Sequence, residues 1–203
     1  MATPSVVPGP GAPRRGRPRD AKAERAILEA AVAILSEVGF THLSVEAVAA
    51  RAGVGKPTIY RRWPSKLELV IDAVERLAPP LQPASTGDPL TDLRQIVPQL
   101  MADVTSSPIG RAIVALANDA ETHAELARRL GARYLAPRRA VIADILRQAV
   151  DAGQVRGDID PEMTIDLMMG AALYHWLARA QPVDADTGRR IVDTVWDSLQ
   201  PSR

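Results

Sequence analysis

Apolar side chains recur at helical spacing along most of this 203-residue chain, and this periodicity restricts the fold more than any other feature. Ile27, Ile34 and Leu35, with alanines between them, follow the i, i+3, i+4 pattern of an amphipathic helix. No convincing run alternates apolar and polar residues with the period of two that is typical of a strand. Aromatic residues are only 3% of a chain that is 46% apolar. The sequence therefore predicts an all-α fold with an aliphatic core.

Helix start and stop signals divide the chain into about nine helices. Ser44 and Ser65 are good N-caps, whereas Gly39 and Gly53 suit the positive φ at the end of a helix. Pro137 lies inside the longest predicted helix and should kink or split it. The predicted helices span residues 20–39, 44–52, 56–62, 65–78, 90–105, 109–119, 121–151, 161–180 and 186–199.

Positive charge is concentrated at the front of the chain. Residues 1–66 contain 11 Lys and Arg against 5 Asp and Glu, whereas residues 67–203 contain 14 against 19. The net charge of +1 for the whole chain hides this asymmetry. A basic segment followed by an acidic body indicates that only the front of the chain meets a polyanion.

Several classes of protein are disfavoured by what the sequence lacks. The absence of cysteine removes disulfides, thiolate metal sites and cysteine nucleophiles. The histidines His42, His123 and His175 have no metal-ligand spacing, and nothing resembles a Ser-His-Asp triad, so we expect no metal, no cofactor and no enzyme. We find neither a secretory signal nor an apolar run of about 18 residues. The expected protein is soluble and cytoplasmic, without a membrane partner.

The segment Ser44–Lys66 has the layout of a helix-turn-helix. Ser44 caps one helix, Gly53 permits the turn, and a short second helix begins at Lys56. Such a helix can lie with its N-terminal end in a major groove, where its N–H groups favour phosphate. An ordinary three-helix bundle is the alternative, but the Tyr-Arg-Arg run at residues 60–62 argues against it.

Residues 20–70 resemble the DNA-binding domain of the tetracycline-repressor (TetR) family. The matching positions are Gly39-Phe40, Ala52-Gly53-Val54, Thr58-Ile59-Tyr60, Trp63 and Lys66. Two positions depart from the family pattern, since Gly55 stands where many members have serine and Arg62 where histidine is frequent. We expect Phe40 and Trp63 to be core residues that fix the helix angle. The later half resembles the family only in length and helical pattern.

The resemblance implies a three-part organisation: a disordered basic arm (1–18), a helix-turn-helix DNA-binding domain (19–66) and a helical regulatory and dimerisation domain (67–203). On the short helix, lysine, threonine and arginine side chains can face base edges, and the tyrosine hydroxyl can reach a phosphate. Serine and lysine at the starts of the flanking helices are implied as phosphate clamps. The residues expected to bind DNA are Arg17, Arg19, Ser44, Lys56, Pro57, Thr58, Tyr60, Arg61, Arg62 and Lys66.

The arginine-rich arm at residues 14–19 is a second candidate for DNA contact. Its Gly-Arg-Pro core, flanked by arginines, resembles an AT-hook, in which arginines enter a narrow A·T minor groove. The alternative is a basic tail that stays near phosphates without preferring a groove. Both interpretations remain open.

The back half is expected to form a homodimer. In the family, the last two long helices pair with their two-fold mates as a four-helix bundle, although ordinary core packing predicts the same apolar pattern. Leu167 lies on the first of these helices. The other residues expected at the interface are Leu173, Trp176, Leu177, Ile191, Val195, Trp196 and Leu199.

A ligand cavity is expected among the middle helices, although each candidate residue could equally be plain core. The low aromatic content indicates an aliphatic or compact ligand. Arg133, Arg138 and Arg139 could bind an anionic group or simply be surface charge. The residues expected to line the cavity are Ile96, Leu100, Met101, Val104, Ile113, Leu116, Tyr134, Met168 and His175.

These patterns predict a sequence-specific transcriptional regulator, a ligand-responsive repressor that binds a pseudo-palindromic double-stranded DNA operator as a homodimer. An unknown small-molecule effector would tilt the fourth helix and change the separation of the two recognition helices. One alternative is a ligand-independent architectural or activating factor. Another is a small-molecule-binding helical protein with weak or vestigial DNA binding.

Overall fold

The computed structural model describes residues 18–78, 85–118 and 123–201, and every regular element within these ranges is helical. None of the described helices is long and apolar enough to cross a membrane. The helices are α1 (Pro18–His42), α2 (Val45–Ala52), α3 (Lys56–Tyr60), α4 (Lys66–Leu77), α5 (Pro89–Ser106), α6 (Pro108–Asn118), α7 (Ala124–Leu130), α8 (Ala136–Asp151), α9 (Pro161–Arg179) and α10 (Ala185–Ser198). The predicted all-α fold is confirmed.

The helix ends follow local capping chemistry. The Ser44 hydroxyl accepts a hydrogen bond from the Ala47 N–H at 3.1 Å, and the Ser65 hydroxyl accepts one from the Glu68 N–H at 3.2 Å. At Gly39 the backbone leaves the helical region, with φ of 74° and ψ of 174°, before one more turn of α1. The first helix begins at Pro18 rather than near residue 20, because proline suits the first turn of a helix.

A π-helical turn at Gly131–Leu135 joins α7 to α8. The Ala136 N–H donates to the Gly131 carbonyl five residues earlier, one residue farther than in an α-helix. Pro137 follows and has no N–H to give to the carbonyl four residues before it, so the α-helical pattern cannot run through this turn. The predicted interruption of the long helix is confirmed, and α7, the turn and α8 together correspond to that one predicted helix.

Buried side chains form two apolar clusters. The first cluster contains residues of α1, α2, α3 and α4. It also contains residues of α6, α7 and the π-helical turn, including Ile109, Leu126 and Tyr134. The second cluster joins α5, α8, α9 and α10. The first cluster therefore continues past residue 66, where the sequence placed the end of the DNA-binding domain. Residues 1–17 of the expected arm (1–18) lie outside the described residues, and Pro18 begins α1.

Helices α5 and α10 approach each other closely at a glycine. A Cβ atom added to Gly188 would lie 2.7 Å from Pro98 Cβ and 2.9 Å from Pro98 Cα. Both distances are too short for carbon atoms that are not bonded, and the proline ring cannot rotate away. Gly188 therefore permits the contact between these two helices.

We expect Gly188→Ala to reduce the free energy of unfolding by about 1–3 kcal/mol, because the added methyl group overpacks the contact with Pro98. Urea unfolding followed by circular dichroism measures this change. Gly131→Ala is the matched control, since its backbone is helical and a Cβ there meets nothing within 4 Å. The control should be neutral or stabilise by about 0.5–1 kcal/mol. Equal stability of the two variants would contradict the assigned contact.

Candidate nucleic-acid interface

The α2–α3 unit is a compact helix-turn-helix. Gly53 ends α2 with φ of 66°, in the left-handed region that favours glycine, and the Val54 N–H then donates to the Ala49 carbonyl at 3.0 Å. The side chain of Ile59 is completely buried and fixes α3 on the first apolar cluster. Gly55 starts α3 without a side-chain cap. One face of α3 is therefore anchored. In its first turn Pro57 has no N–H, and the Thr58 N–H donates to the Gly55 carbonyl at 2.9 Å.

The opposite face of α3 presents most of the residues expected at DNA. Lys56, Pro57 and Arg61 are exposed, and Thr58 is half-buried. Tyr60 is 49% exposed, an unusual position for an aromatic side chain that could have packed inside. The short helix and the residue after it thus present a lysine, a threonine, a tyrosine and an arginine that are exposed or half-buried, and their contact with DNA stays a prediction.

Lys56 forms an ion pair across the helix-turn-helix. Its ammonium lies 2.9 Å from a carboxylate oxygen of Glu46 on α2. The hydrogen bond raises the pKa of Lys56 and lowers the pKa of Glu46. Both side chains are more than half exposed, so the pair is weak and can exchange for a phosphate contact.

Lys66 and Ser44 both have structural roles in the described chain. The Lys66 ammonium donates to the Phe40 carbonyl at 2.8 Å and lies 4.3 Å from the centre of the Phe40 ring. Burial lowers the pKa of Lys66. The Phe40 carbonyl follows Gly39, where the backbone of α1 leaves the helical conformation. Contact with phosphate would require Lys66 to leave this position, whereas the Ser44 hydroxyl caps α2 from a half-buried site.

Arg62 points towards α1 rather than continuing the exposed surface of Arg61. The carboxylate of Glu24 accepts hydrogen bonds from the guanidinium groups of both Arg62 and Arg76. Glu24 therefore links α1 to the segment that follows α3 and to α4. Sequence analysis missed this role, because the partners are 38 and 52 residues away and only the fold brings them together.

The aromatic residues expected in the core are confirmed there. Phe40 and Trp63 are 6% and 5% exposed, and the Trp63 indole N–H donates to Asp72 on α4 at 2.8 Å. Of the two arm residues expected at DNA, Arg17 lies outside the described residues. Arg19 belongs to α1, but its side chain is outside what the structure describes.

A second candidate site is a cavity of about 580 Å³ enclosed by α5, α6, the π-helical turn, α8 and α9. Four of the expected lining residues are part of its wall: Leu100, Val104, Ile113 and Tyr134. Sequence analysis did not assign the other wall residues to the cavity, although it noted both arginines as candidates for an anionic group and placed Leu173 and Leu177 at the dimer interface. These are Val114, Leu135, Arg138, Arg139, Ile142, Ile165, Asp166, Met169, Gly170, Leu173 and Leu177.

Five residues expected at the cavity lie elsewhere or cannot be placed. Ile96, Met101 and Met168 are buried within the second apolar cluster and do not line the cavity, because their helices turn these positions towards other helices. His175 borders a separate groove between α9 and α10. The side chain of Leu116 lies outside what the structure describes.

The charged groups of the cavity wall have partners within the chain. The Arg138 guanidinium lies 3.8 Å from the centre of the Tyr134 ring and donates to the Tyr134 carbonyl at 3.0 Å. Arg139 donates to Glu162 and to Asp166, each at 2.7 Å. Burial raises the pKa of the Tyr134 hydroxyl. The cavity therefore offers a ligand a mainly apolar surface with compensated charges.

The residues expected at a dimer interface separate into three groups. Leu167, Leu173 and Leu177 are exposed on α9, as an interface would require of a single subunit. Trp176, Ile191 and Val195 are half-buried. Trp196 and Leu199 are corrected to the subunit core, since they are only 6% and 5% exposed and pack in the second apolar cluster.

Ion pairs join α4 to the helix that leads into the cavity. Arg129 on α7 donates to both carboxylate oxygens of Glu68, at 2.6 and 3.1 Å, and this contact lowers the pKa of Glu68. Arg133 in the π-helical turn donates to Glu75 at 3.0 Å. Arg133 is therefore a partner of α4 rather than a lining residue of the cavity. Its neighbour Tyr134 does line the cavity, so one turn of helix touches both sites.

His123 makes another contact between the two halves of the chain. Its Nε2 lies 3.1 Å from the Thr41 hydroxyl, and its ring meets the Phe40 ring edge-on at 4.8 Å between centres. His123 thus packs against the end of α1, while residues 119–122 lie outside the described ranges.

Two family models match successive parts of the chain. Residues 27–73 match the model described as bacterial regulatory proteins, tetR family. Residues 83–195 match the model described as tetracyclin repressor-like, C-terminal domain. The first match contains the helix-turn-helix and α4, and the second contains the cavity and nearly all of α10.

Relatives and a solved structure are similar over nearly the whole chain. The HTH-type transcriptional regulator YdeS of Bacillus subtilis (strain 168) is 32% identical over 92% of this chain and 94% of its own length. The DNA-binding transcriptional repressor TetR of Mycobacteroides abscessus is 30% identical over 89% of this chain and 93% of its own. The crystal structure of the TetR family transcription regulator SCO0332 is 34% identical and has a TM-score of 0.62, covering 89% of this chain and all of that one.

We expect Glu24→Gln to lower the free energy of unfolding by about 1–2 kcal/mol, because two guanidinium groups lose their shared carboxylate. Glu29→Gln is the matched control on the same helix. Within the described part of the chain Glu29 pairs with Arg25, and both side chains are more than half exposed, so its loss should cost much less than the loss of Glu24. Urea unfolding of both variants measures the difference. A Glu24 variant as stable as the Glu29 variant would show that the contacts of Glu24 with Arg62 and Arg76 add nothing to the free energy of unfolding.

Proposed function

Because the chain belongs to the TetR family of transcriptional regulators, we propose that it represses transcription by binding a pseudo-palindromic operator as a homodimer, and that a small apolar effector releases it. It is a DNA-binding regulator, and this role rather than catalysis accounts for both halves of the chain. We place its activity in the cytoplasm, where bacterial operators are found. The proposed DNA-binding part is formed by α2 and α3 on the core of α1 and α4.

The exposed face of α3 is the observation that carries the proposal. Tyr60 is half exposed on a helix whose other face is anchored by the fully buried Ile59. Lys56 and Arg61 are exposed as Tyr60 is, Thr58 is half-buried, and these side chains can supply hydrogen bonds to phosphates and to base edges. A dimer would present two such helices to successive major grooves, which is why we propose a pseudo-palindromic operator.

The ion pairs between α4 and the π-helical turn support a route from effector to DNA. An effector in the cavity contacts Tyr134, and the turn that holds Tyr134 also holds Arg133, the partner of Glu75 on α4. Movement of this turn would therefore displace α4, the next helix after α3. A small displacement is sufficient, because both half-sites of an operator must be met together.

Selection of bound sites from a random duplex library tests the proposed DNA binding. The wild-type protein should enrich a pseudo-palindrome. Tyr60→Ala and Lys56→Ala should each lose about 1–3 kcal/mol of affinity for the enriched duplex while their circular dichroism stays unchanged. Arg147→Ala is the control, because Arg147 is exposed on α8 and, among the described residues, pairs with Asp144 on the same helix. Failure of the wild type to enrich any site, at low and moderate salt, would overturn the proposal.

Val104→Trp tests the effector cavity separately from DNA binding. Val104 lines the cavity, and the larger indole should fill much of its volume. We expect the variant to lose binding of the neutral apolar dye N-phenyl-1-naphthylamine, measured by fluorescence, and to keep wild-type affinity for the selected duplex. Dye affinity equal to that of the wild type would show that apolar ligands bind elsewhere.

A further inference from the structure

An acidic residue lies among the basic residues that are expected at DNA. Glu46 belongs to the first turn of α2, and its carboxylate accepts a hydrogen bond at 2.9 Å from the ammonium of Lys56, the first residue of α3. The side chain of Glu46 is 60% exposed. Phosphates repel a carboxylate, so Glu46 weakens contact with any DNA unless it gains a partner there. Sequence analysis assigned no role to this residue.

The fold fixes the position of this ion pair. Val45 and Val48 are 6% and 0% exposed and anchor α2 on the first apolar cluster, so Glu46 between them lies on the outer side. Ile59 anchors α3 in the same way and is completely buried. Both ends of the pair are therefore attached to packed helices, and the pair lies on the exposed surface of the helix-turn-helix.

The pair formed by Glu46 and Lys56 has spare hydrogen-bonding capacity. An ammonium has three N–H donors, and a carboxylate has about four acceptor sites on its two oxygens. The hydrogen bond between the two side chains joins one carboxylate oxygen, Oε1, to Nζ. By contrast, the carboxylate of Glu37 uses both oxygens on the guanidinium of Arg51, at 2.8 and 2.9 Å. The ammonium and carboxylate of the first pair can therefore make further hydrogen bonds without separating.

One kind of base pair presents the matching groups side by side in the major groove. Guanine offers two acceptors, N7 and O6, and the cytosine paired with it offers an amino donor. Guanine O6 and the cytosine amino group are hydrogen-bonded to each other, so an acceptor and a donor are neighbours. An ammonium beside a carboxylate complements this edge. A reversed C·G pair would set the carboxylate against guanine O6, and an A·T pair separates its two acceptors by the adenine amino group.

We propose that Glu46 and Lys56 together read one G·C base pair in each half-site, the ammonium donating to guanine and the carboxylate accepting from the cytosine amino group. This inference rests on the DNA-binding function proposed above. On any other sequence the carboxylate finds no matching donor and remains close to acceptors and phosphates, which repel it. Glu46 thus favours binding at the operator and disfavours binding elsewhere.

Site selection with a variant protein locates this base pair. The wild-type protein and Lys56→Ala each select sites from the random duplex library, and the position sought is the one where a preference for guanine depends on Lys56. Two duplexes are then compared, the wild-type site and the same site with that G·C pair reversed to C·G in one half-site. Reversal keeps the length, the charge and the base composition of the duplex. Fluorescence anisotropy gives the affinity of each protein for both duplexes, and circular dichroism checks the fold.

Glu46→Ala is the decisive variant, and Glu37→Ala is its matched control. Each removes one carboxylate from an exposed ion pair of the same domain, but Glu37 pairs with Arg51 of α2 rather than with a residue of α3. We expect the wild type to bind the reversed duplex about 5- to 150-fold more weakly, the usual effect of one wrong base pair. Glu46→Ala should lose most of this ratio, whereas Glu37→Ala should keep it.

A Glu46→Ala variant that keeps the wild-type ratio would overturn the inference, even if it binds both duplexes more tightly, because the carboxylate would then only repel phosphates. Sites in which no guanine preference depends on Lys56 would overturn it as well. Both results leave the proposed function intact, because the wild type still enriches a pseudo-palindrome. Failure of the wild type to enrich any site would contradict the proposed function itself, and the inference with it.

Discussion

Helix α4 is held on two sides, and the rest of the structure depends on this double attachment. Leu69, Val70 and Val74 are completely buried and pack α4 into the core that supports the helix-turn-helix. On its other side, the carboxylates of Glu68 and Glu75 accept hydrogen bonds from arginines of α7 and the π-helical turn. The same apolar cluster includes Leu126 of α7 and Tyr134 of the π-helical turn, so apolar packing holds α4 to both parts of the chain and the partly exposed ion pairs add to it. A displacement that begins at the cavity can therefore move α4 and the recognition unit together.

Several basic residues near α3 have partners inside the chain. Lys56 pairs with Glu46, Lys66 donates to the Phe40 carbonyl, and Arg62 is held by Glu24. Each contact reduces the number of side-chain conformations before DNA is met. Binding a phosphate with one of these residues exchanges one partner for another rather than adding a contact. New hydrogen bonds to DNA would therefore come mainly from exposed residues that have no such partner to give up. The count of basic residues in the sequence overstates the positive charge that is available to bind phosphates.

The accuracy of prediction from sequence depended on the range of the interaction. Caps at Ser44 and Ser65, the turn at Gly53 and the split before Pro137 are local effects of one residue on its neighbours, and all were predicted. The Glu24 clamp and the ion pairs of α4 join residues 38 to 61 positions apart, so no local pattern indicated them. Periodicity also could not distinguish cavity wall from core, which is why some apolar residues were assigned to the wrong group.

We propose that one dimer holds two recognition helices at a fixed separation. Inserting about five base pairs between the half-sites of the selected duplex rotates one half-site by about half a turn, since B-DNA repeats every 10–10.5 base pairs. Fluorescence anisotropy then compares the affinities of the original and the lengthened duplex. A rigid dimer can reach only one half-site of the lengthened duplex, so tight binding should be lost. Equal affinity for both duplexes would contradict the proposed rigid dimer, because it would mean that each DNA-binding domain acts independently of its partner.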